Sequence, residues 1–235
     1  RIHDDPDAEK IANLNRFLFT FGMSIKGFTK IHPGAFQEVL KKVEGRREER
    51  IISTIMLRTM KQARYSEEST GHFGLSAEYY CHFTSPIRRY PDLVIHRIIK
   101  EVLAKGRLPH KRIEKLADFV ADAAIQSSDR ERVAVEAERE SVDLKKVEFM
   151  KDKVGEEFPG VIAGVTSFGF FVELDNMVEG LVHVTTLIDD FYEFDETKYA
   201  LIGKHTGRTF RIGDSVKIRL ENVNLDIGKL DFELV

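Results

Sequence analysis

The sequence changes character at Val154 and Gly155, and this change limits the chain to a helical part followed by an all-β part. Upstream, apolar residues recur at steps of three and four, as in Ile11, Leu14 and Leu18, which is the spacing of a helix with one buried face. Downstream, short runs of alternating β-branched and aromatic residues are separated by Gly, Asn and Asp, which is typical of strands joined by turns. We therefore predict an α+β fold with a mainly helical domain over residues 1–153 and a second domain over residues 154–235.

The helical part is predicted to contain six helices. Apolar periodicity places them at about residues 8–22, 36–43, 46–60, 93–105, 111–126 and 129–151. The last boundary depends on Ser128 and Glu131, which have the spacing of a capping box. This signal predicts that a separate helix begins at Asp129.

The β part is predicted to contain five short strands. They fall at residues 158–165, 169–174, 180–184, 215–223 and 230–234. Five short strands in about 80 residues suit a closed Greek-key barrel of the OB type.

The two parts also differ in charge. Residues 1–153 carry 29 Lys and Arg against 24 Asp and Glu, or +5, whereas residues 154–235 carry 7 against 15, or −8. General attraction to a polyanion is therefore weak, so any contact with nucleic acid has to come from local basic and aromatic groups.

One segment of the helical part combines two prolines with two arginines. Pro86 and Pro91 bracket Arg88 and Arg89, and each proline restricts the residue before it to an extended conformation. Pro91 also suits the first turn of a helix, so the helix is expected to begin here. Arginines on such a stiff segment, beside the hydroxyl of Ser85, are suited to binding a phosphate. The alternative is a structural arginine paired with a buried carboxylate.

This segment, Tyr80 to Leu93, resembles the signature near the end of the catalytic RNB domain of the ribonuclease II/ribonuclease R family. Three flanking stretches resemble the same family in the same order: Arg1-Ile2-His3-Asp4, Leu57 to Tyr65, and Gly71-His72-Phe73-Gly74-Leu75-Ser76. The run Arg-Arg-Tyr-Pro-Asp is more similar to the ribonuclease R branch than to ribonuclease II.

The resemblance implies the C-terminal part of a processive hydrolytic exoribonuclease that degrades RNA from its 3′ end to nucleoside 5′-monophosphates. It assigns Arg88 to the scissile phosphate, Arg89 to a second or structural role, and Glu138 to the active site. It also implies that His72 contacts RNA, although a packing histidine in a tight turn is the alternative. Mg²⁺ is expected on aspartates of a motif N-terminal to Arg1, so this piece alone is expected to hold no metal and to be inactive.

The β part resembles the S1-type RNA-binding barrel, through Gly160-Val161-Ile162, the run Phe168 to Leu174, and Glu179 to His183. The resemblance implies that Phe168, Phe170 and His183 stack on RNA bases, and alternation predicts that Lys217 and Arg219 reach phosphates. The alternative is that the phenylalanines are core residues. The acidic run from Asp189 to Glu196 is expected on a side that RNA avoids.

The hydropathy and the cysteine content of the chain indicate its cellular setting. The chain has no run of about 18 apolar residues and no cleavable leader pattern. Its one cysteine, Cys81, can form neither an internal disulfide nor a zinc cluster, which agrees with a reducing compartment. We expect a cytoplasmic monomer whose partner is single-stranded RNA and which does not associate with membranes.

Two other functions remain open from the residues. A non-catalytic RNB relative that only binds RNA would keep the same motifs, and the sequence upstream of Arg1 would distinguish it from a nuclease. A ribosome-associated factor with an S1-type barrel would require the RNB motifs to be discarded.

Overall fold

The computed structural model describes residues 1–26, 31–46 and 48–235. They form two compact units. The first unit consists of residues 1–11, 25–38 and 58–136, and the second consists of residues 12–24, 39–57 and 137–235. The boundary at residues 153 and 154 between the two expected domains stays a prediction.

The predicted α+β fold is confirmed. Among the described residues there are five α-helices: α1 Ala8–Phe19, α2 Pro33–Val43, α3 Glu49–Thr59, α4 Tyr90–Lys105 and α5 His110–Met150. Within this part of the chain, no helix combines the length and the apolar character that crossing a membrane requires.

The prediction of a helix boundary at Ser128 is wrong, because α5 is a single helix of 41 residues. The hydroxyl of Ser128 donates to the carbonyl of Ala124 at 2.8 Å, one turn earlier, and it accepts from the backbone N–H of Tyr65 at 3.0 Å. A serine that bonds back to residue i−4 is compatible with a helix interior. Ser128 therefore fixes a neighbouring loop of the first unit instead of capping a helix.

The described residues of the second unit form eight strands: β1 Glu157–Thr166, β2 Gly169–Leu174, β3 Glu179–His183, β4 Tyr192–Asp195, β5 Ala200–Gly203, β6 Thr209–Arg211, β7 Ser215–Asn224 and β8 Lys229–Leu234. Five of them close a barrel in the order β1-β2-β3-β8-β7, as the sequence predicts. The pairs are antiparallel except for β3 with β8, which is parallel. The interior is filled by fully buried apolar side chains, among them Ile162, Phe170, Val172, Val182 and Phe232.

The strands β4, β5 and β6 form a separate antiparallel sheet that the sequence did not predict. Each has only three or four residues, which is too short for alternation to be recognised. The carboxylate of Asp190 holds the connections of this sheet together, and its side chain is 1% exposed. It accepts from the backbone N–H groups of Phe191, His205 and Thr206 at 2.7, 2.9 and 2.6 Å, and from the Thr206 hydroxyl at 2.7 Å.

We predict that Phe170→Ala destabilises the barrel, because it removes a side chain with no exposed surface and leaves a cavity among the strands. The loss should be about 3–5 kcal/mol in the free energy of opening. Hydrogen exchange of the β1 and β2 amides measures it. Phe168→Ala is the control, since that ring is 46% exposed, and an equal loss in both variants would contradict the assignment.

We predict that the β4–β6 sheet loses stability in acid through Asp190. The backbone N–H of Thr206 lowers the pKa of this carboxyl most, and the other donors outweigh the opposing effect of burial. Because the folded pKa lies below the unfolded value of about 3.9, the stabilisation is complete above that pH and is lost as the pH falls further. Asp190→Asn should reduce this acid dependence of the melting temperature, whereas Asp175→Asn should leave it, and Asp189 and Asp195, whose pKa values are also lowered, account for the remainder. An unchanged acid profile in Asp190→Asn would contradict the prediction.

Candidate nucleic-acid interface

A buried carboxylate organises the turn that carries the two arginines. Asp92, in the first turn of α4, has no exposed surface. Its Oδ2 accepts from the backbone N–H of Ser85 at 2.8 Å and from Nε and Nη2 of Arg89 at 3.2 and 2.8 Å. The backbone N–H groups of Arg88 and Arg89 in turn donate to the carbonyl of Ser85 at 3.2 and 3.0 Å. The turn is therefore closed by side chain and backbone together.

Burial acts to raise the pKa of Asp92. The hydrogen bonds from the Ser85 backbone and from the Arg89 guanidinium outweigh burial, so the net pKa is lowered and the group is ionised at neutral pH. Asp92 and Arg89 therefore form an ion pair whose carboxylate is buried and whose guanidinium is partly exposed, so the carboxylate charge is balanced inside the first unit.

The two arginines of the turn have different surroundings. Arg89 is the structural arginine paired with a buried carboxylate that the sequence offered as the alternative interpretation. Arg88 is exposed, and within the described part of the chain its side chain has no hydrogen bond or ion pair. Of the two, Arg88 alone has a whole guanidinium free for a ligand. Ser85 contributes its backbone N–H and carbonyl to the turn.

A chain of rings lies in the same unit as the turn. The Tyr65 hydroxyl is 2.9 Å from Nδ1 of His82, and the rings of His82, Tyr80, His72 and His3 follow one another edge to face at 5.8, 5.1 and 5.2 Å. Burial, followed by the proximity of His3, lowers the pKa of His72. His72 is therefore neutral at pH 7 and offers no positive charge to a phosphate. Its predicted contact with RNA stays a prediction.

Glu138 is exposed on α5, in the second unit. No hydrogen bond or ion pair of its side chain is found among the described residues, and its predicted place in an active site stays a prediction. Sequence reasoning gave no function to Glu131, whose carboxylate pairs with Arg1. The Arg1 guanidinium also lies 4.6 Å from the centre of the Tyr65 ring. The sequence signal at Glu131, the capping box with Ser128, does not predict this pairing with Arg1.

On the barrel, the stacking role predicted for Phe170 is wrong. Its side chain has no exposed surface, and its ring lies 4.7 Å from that of Phe210 inside the second unit. The shared role of Phe168 and Phe170 was implied by the resemblance to the S1-type barrel, but β2 begins only at Gly169, where φ is +151°. Phe168 belongs to the preceding turn, so strand alternation does not apply to it.

The accessible aromatic pair is instead the exposed Phe168 and the half-buried Phe171, whose rings meet edge to face at 6.1 Å. His183 pairs with Gly169 in the β2–β3 register and is exposed beside Phe168. Its Nδ1 accepts from the backbone N–H of Thr185 at 3.3 Å and lies 2.7 Å from the Thr185 hydroxyl, which orients the ring. The three residues thus lie near the start of β2 and the end of β3, which pair with each other.

The aromatic pair opens onto a groove of about 360 Å³ within the second unit. Lys146 and Lys229 line it, together with the carboxylates of Asp143, Glu179 and Asp231. Because both signs of charge are present, the groove does not attract a polyanion by net charge. The aromatic faces are its main asset for binding.

The basic residues predicted on β7 are already paired. Nζ of Lys217 lies 2.6 Å from the carboxylate of Glu157, and the Arg219 guanidinium lies 3.3 Å from the same carboxylate and 3.6 Å from that of Glu233. Hydrogen bonds from Lys217 and then from Arg219 lower the pKa of Glu157. A phosphate would have to compete with these carboxylates, so the predicted phosphate contacts stay predictions.

The described residues do not fit a metal site. Across residues 1–26, 31–46 and 48–235, no three His, Cys, Asp or Glu side chains converge where a metal ion could be held. The expected Mg²⁺ site upstream of Arg1 stays a prediction.

An OB-type barrel with exposed rings beside lysines is typical of proteins that bind nucleic acids. The RNB domain model matches residues 1–105, and the S1 RNA binding domain model matches residues 151–234. The chain is 48% identical to Ribonuclease R 1 of Lactococcus lactis, over 99% of this chain and 28% of that protein. It is 45% identical to Ribonuclease R of Aquifex aeolicus, over 100% of this chain and 33% of that protein.

A solved structure agrees. RNase R of Mycoplasma genitalium in complex with ribose methylated single-stranded RNA has a TM-score of 0.90 at 27% identity, over 100% of this chain and 37% of that one. The chain belongs to the ribonuclease R family. It spans 28% to 33% of the length of the two curated relatives, so it corresponds to about a third of such a protein.

Proposed function

We propose that this chain is the C-terminal part of a hydrolytic exoribonuclease that degrades RNA from its 3′ end to nucleoside 5′-monophosphates in the cytoplasm. In this proposal residues 1–153 complete the RNB catalytic domain and residues 154–235 form the S1 domain. The RNB and S1 matches and the ribonuclease R relatives support it. The observation that carries it is the free guanidinium of Arg88 on a clamped turn.

Arg88 is proposed to contact the scissile phosphate. A guanidinium binds two phosphate oxygens in a planar fork, and negative charge on those oxygens grows during phosphoryl transfer. Since the backbone of the turn is held by Asp92, little ordering is required when the phosphate arrives. Arg89 cannot take this role without leaving Asp92 uncompensated in the interior.

Mg²⁺ is proposed as the cofactor, held by aspartates upstream of Arg1. When bound, it activates the attacking water and stabilises charge in the transition state.

The barrel is proposed to bind single-stranded RNA through Phe168, Phe171 and His183. The protein is proposed to act as a monomer. Base stacking tolerates any sequence and requires unpaired bases. The complex of the Mycoplasma genitalium relative with ribose methylated single-stranded RNA supports this partner.

We predict that Arg88→Ala reduces the chemical step much more than the affinity for RNA. The experiment uses the intact enzyme, which is a protein of the relatives' full length that contains this chain. Removing a preorganised electrostatic donor costs about 10²- to 10³-fold in rate. Single-turnover kinetics with a labelled single-stranded RNA measures the rate, and Kd is measured without turnover. Arg97→Ala, which removes an exposed arginine of the following helix α4, is the matched control.

Unchanged turnover in Arg88→Ala would contradict the assignment of Arg88. An equal loss in Arg97→Ala would show a general charge effect instead of a site.

We predict that the double change Phe168→Ala and Phe171→Ala weakens RNA binding by the 235-residue chain without unfolding the barrel. Loss of stacking costs about 1–3 kcal/mol per base, which is about 5- to 150-fold in Kd. Fluorescence anisotropy with a short single-stranded RNA measures it, and melting temperature is followed on the same samples. Phe191→Ala, at an exposed phenylalanine outside this group, should leave Kd unchanged. A double variant that binds as tightly as the parent chain would refute this role of the barrel.

A further inference from the structure

We propose that Asp92 is a positioning residue for Arg88: it keeps Arg89 out of the phosphate site and fixes the turn from which Arg88 projects. This inference rests on the proposed function, because it needs Arg88 to contact the phosphate. Asp92 itself, with no exposed surface, touches no substrate.

Three donors converge on one carboxylate oxygen of Asp92. Oδ2 of Asp92 accepts from the backbone of Ser85 and from two nitrogens of Arg89, all within 3.2 Å. Ser85 and Arg89 are the two ends of the short turn that contains Arg88, and both backbone N–H groups at its far end donate to the Ser85 carbonyl. One carboxylate oxygen thus holds both ends of the turn.

A second residue on the same face of α4, His96, holds the segment before the turn; we call its contact with Phe83 the clamp. His96 lies one helical turn after Asp92, and residues four apart share a face. Its Nε2 donates to the carbonyl of Phe83 at 2.8 Å, and its ring lies 4.3 Å from the Phe83 ring. Helix α4 therefore grips the segment before the turn through His96 and the turn itself through Asp92.

Asp92 also gives the two neighbouring arginines different roles, because it pairs with only one of them. Two adjacent guanidiniums would both be attracted to the same phosphate, and only one can have the productive geometry. Asp92 takes up Nε and Nη2 of Arg89, so the positive charge of Arg89 is balanced before any ligand arrives. Removing the carboxylate charge frees Arg89 to compete and loosens the backbone under Arg88.

A double-mutant cycle in the intact enzyme tests the inference. Asp92→Asn keeps the size of the side chain but removes its charge, and we expect it to slow the single-turnover rate by about 10²-fold, as a misplacement of about 1 Å does. In an Arg88→Ala background the same change should cost less than about threefold, because Asp92 acts through a residue that is no longer present. If the two losses multiply in full, Asp92 has only a structural role and the inference is overturned.

A second pair of variants tests the clamp where Asp92→Asn does not fold. His96→Gln keeps a donor for the Phe83 carbonyl and should retain most of the rate, whereas His96→Leu should lose about 10-fold or more, as supporting groups around a site commonly do. The loss in His96→Leu should also disappear in the Arg88→Ala background. Equal rates in His96→Gln and His96→Leu, or a loss that persists without Arg88, would overturn the clamp.

The cycle separates this inference from the proposed function. If Arg88→Ala alone leaves the rate intact, the assignment of Arg88 to the phosphate fails and the inference fails with it. If Arg88→Ala collapses the rate while Asp92→Asn and both His96 variants do not change it, the proposed function stands and only the positioning role is rejected.

Discussion

A carboxylate without access to water is tolerated only where donors replace the water it loses. Asp92 meets this condition at Oδ2, which accepts from Ser85 and Arg89, whereas Oδ1 is buried without a hydrogen-bond partner among the described residues. The local chain path follows from the contacts of Oδ2. The turn closes and α4 begins directly after it. Arg88, whose charge Asp92 does not pair, is left facing solvent within the turn. The proposed phosphate contact is thus a consequence of an interaction that is itself hidden from the substrate.

The barrel depends on closure in a comparable way. Parallel pairing of β3 with β8 closes the barrel, so every barrel strand has a hydrogen-bonded neighbour on both sides. Its register is therefore set by two partners. Once the register is fixed, each residue faces in or out without freedom. Gly180 illustrates how tight the fit is, since a Cβ there would lie 2.5 Å from the Phe232 ring. Phe170 and Phe171, neighbours in sequence, consequently serve the core and the surface respectively.

Patterns that depend on neighbours in sequence were predictable, and those that depend on neighbours in space were not. Apolar period gave the helices and the five barrel strands, but the local signal at Ser128 gave way to a long helix whose serine bonds back to Ala124. Alternation correctly placed Phe170 and Phe171 on opposite faces of β2, but the resemblance assigned base stacking to Phe170, which is the buried one of the two. The distinction between Arg88 and Arg89 needs the position of the Asp92 carboxylate, which spacing alone does not supply.

Charge in the second unit is largely used within the protein. Lys217 and Arg219 lie against Glu157, and the groove beside Phe168 and Phe171 carries carboxylates along with its lysines. Coulomb attraction to a phosphate chain is therefore weakened twice, by the −8 of residues 154–235 and by pairing of the few cations they contain. A surface of this kind holds a strand through ring faces, which do not distinguish one base from another. Under the proposed function, weak and sequence-tolerant contact of this kind lets the strand shift past the rings of the barrel, which the stepwise removal of nucleotides requires.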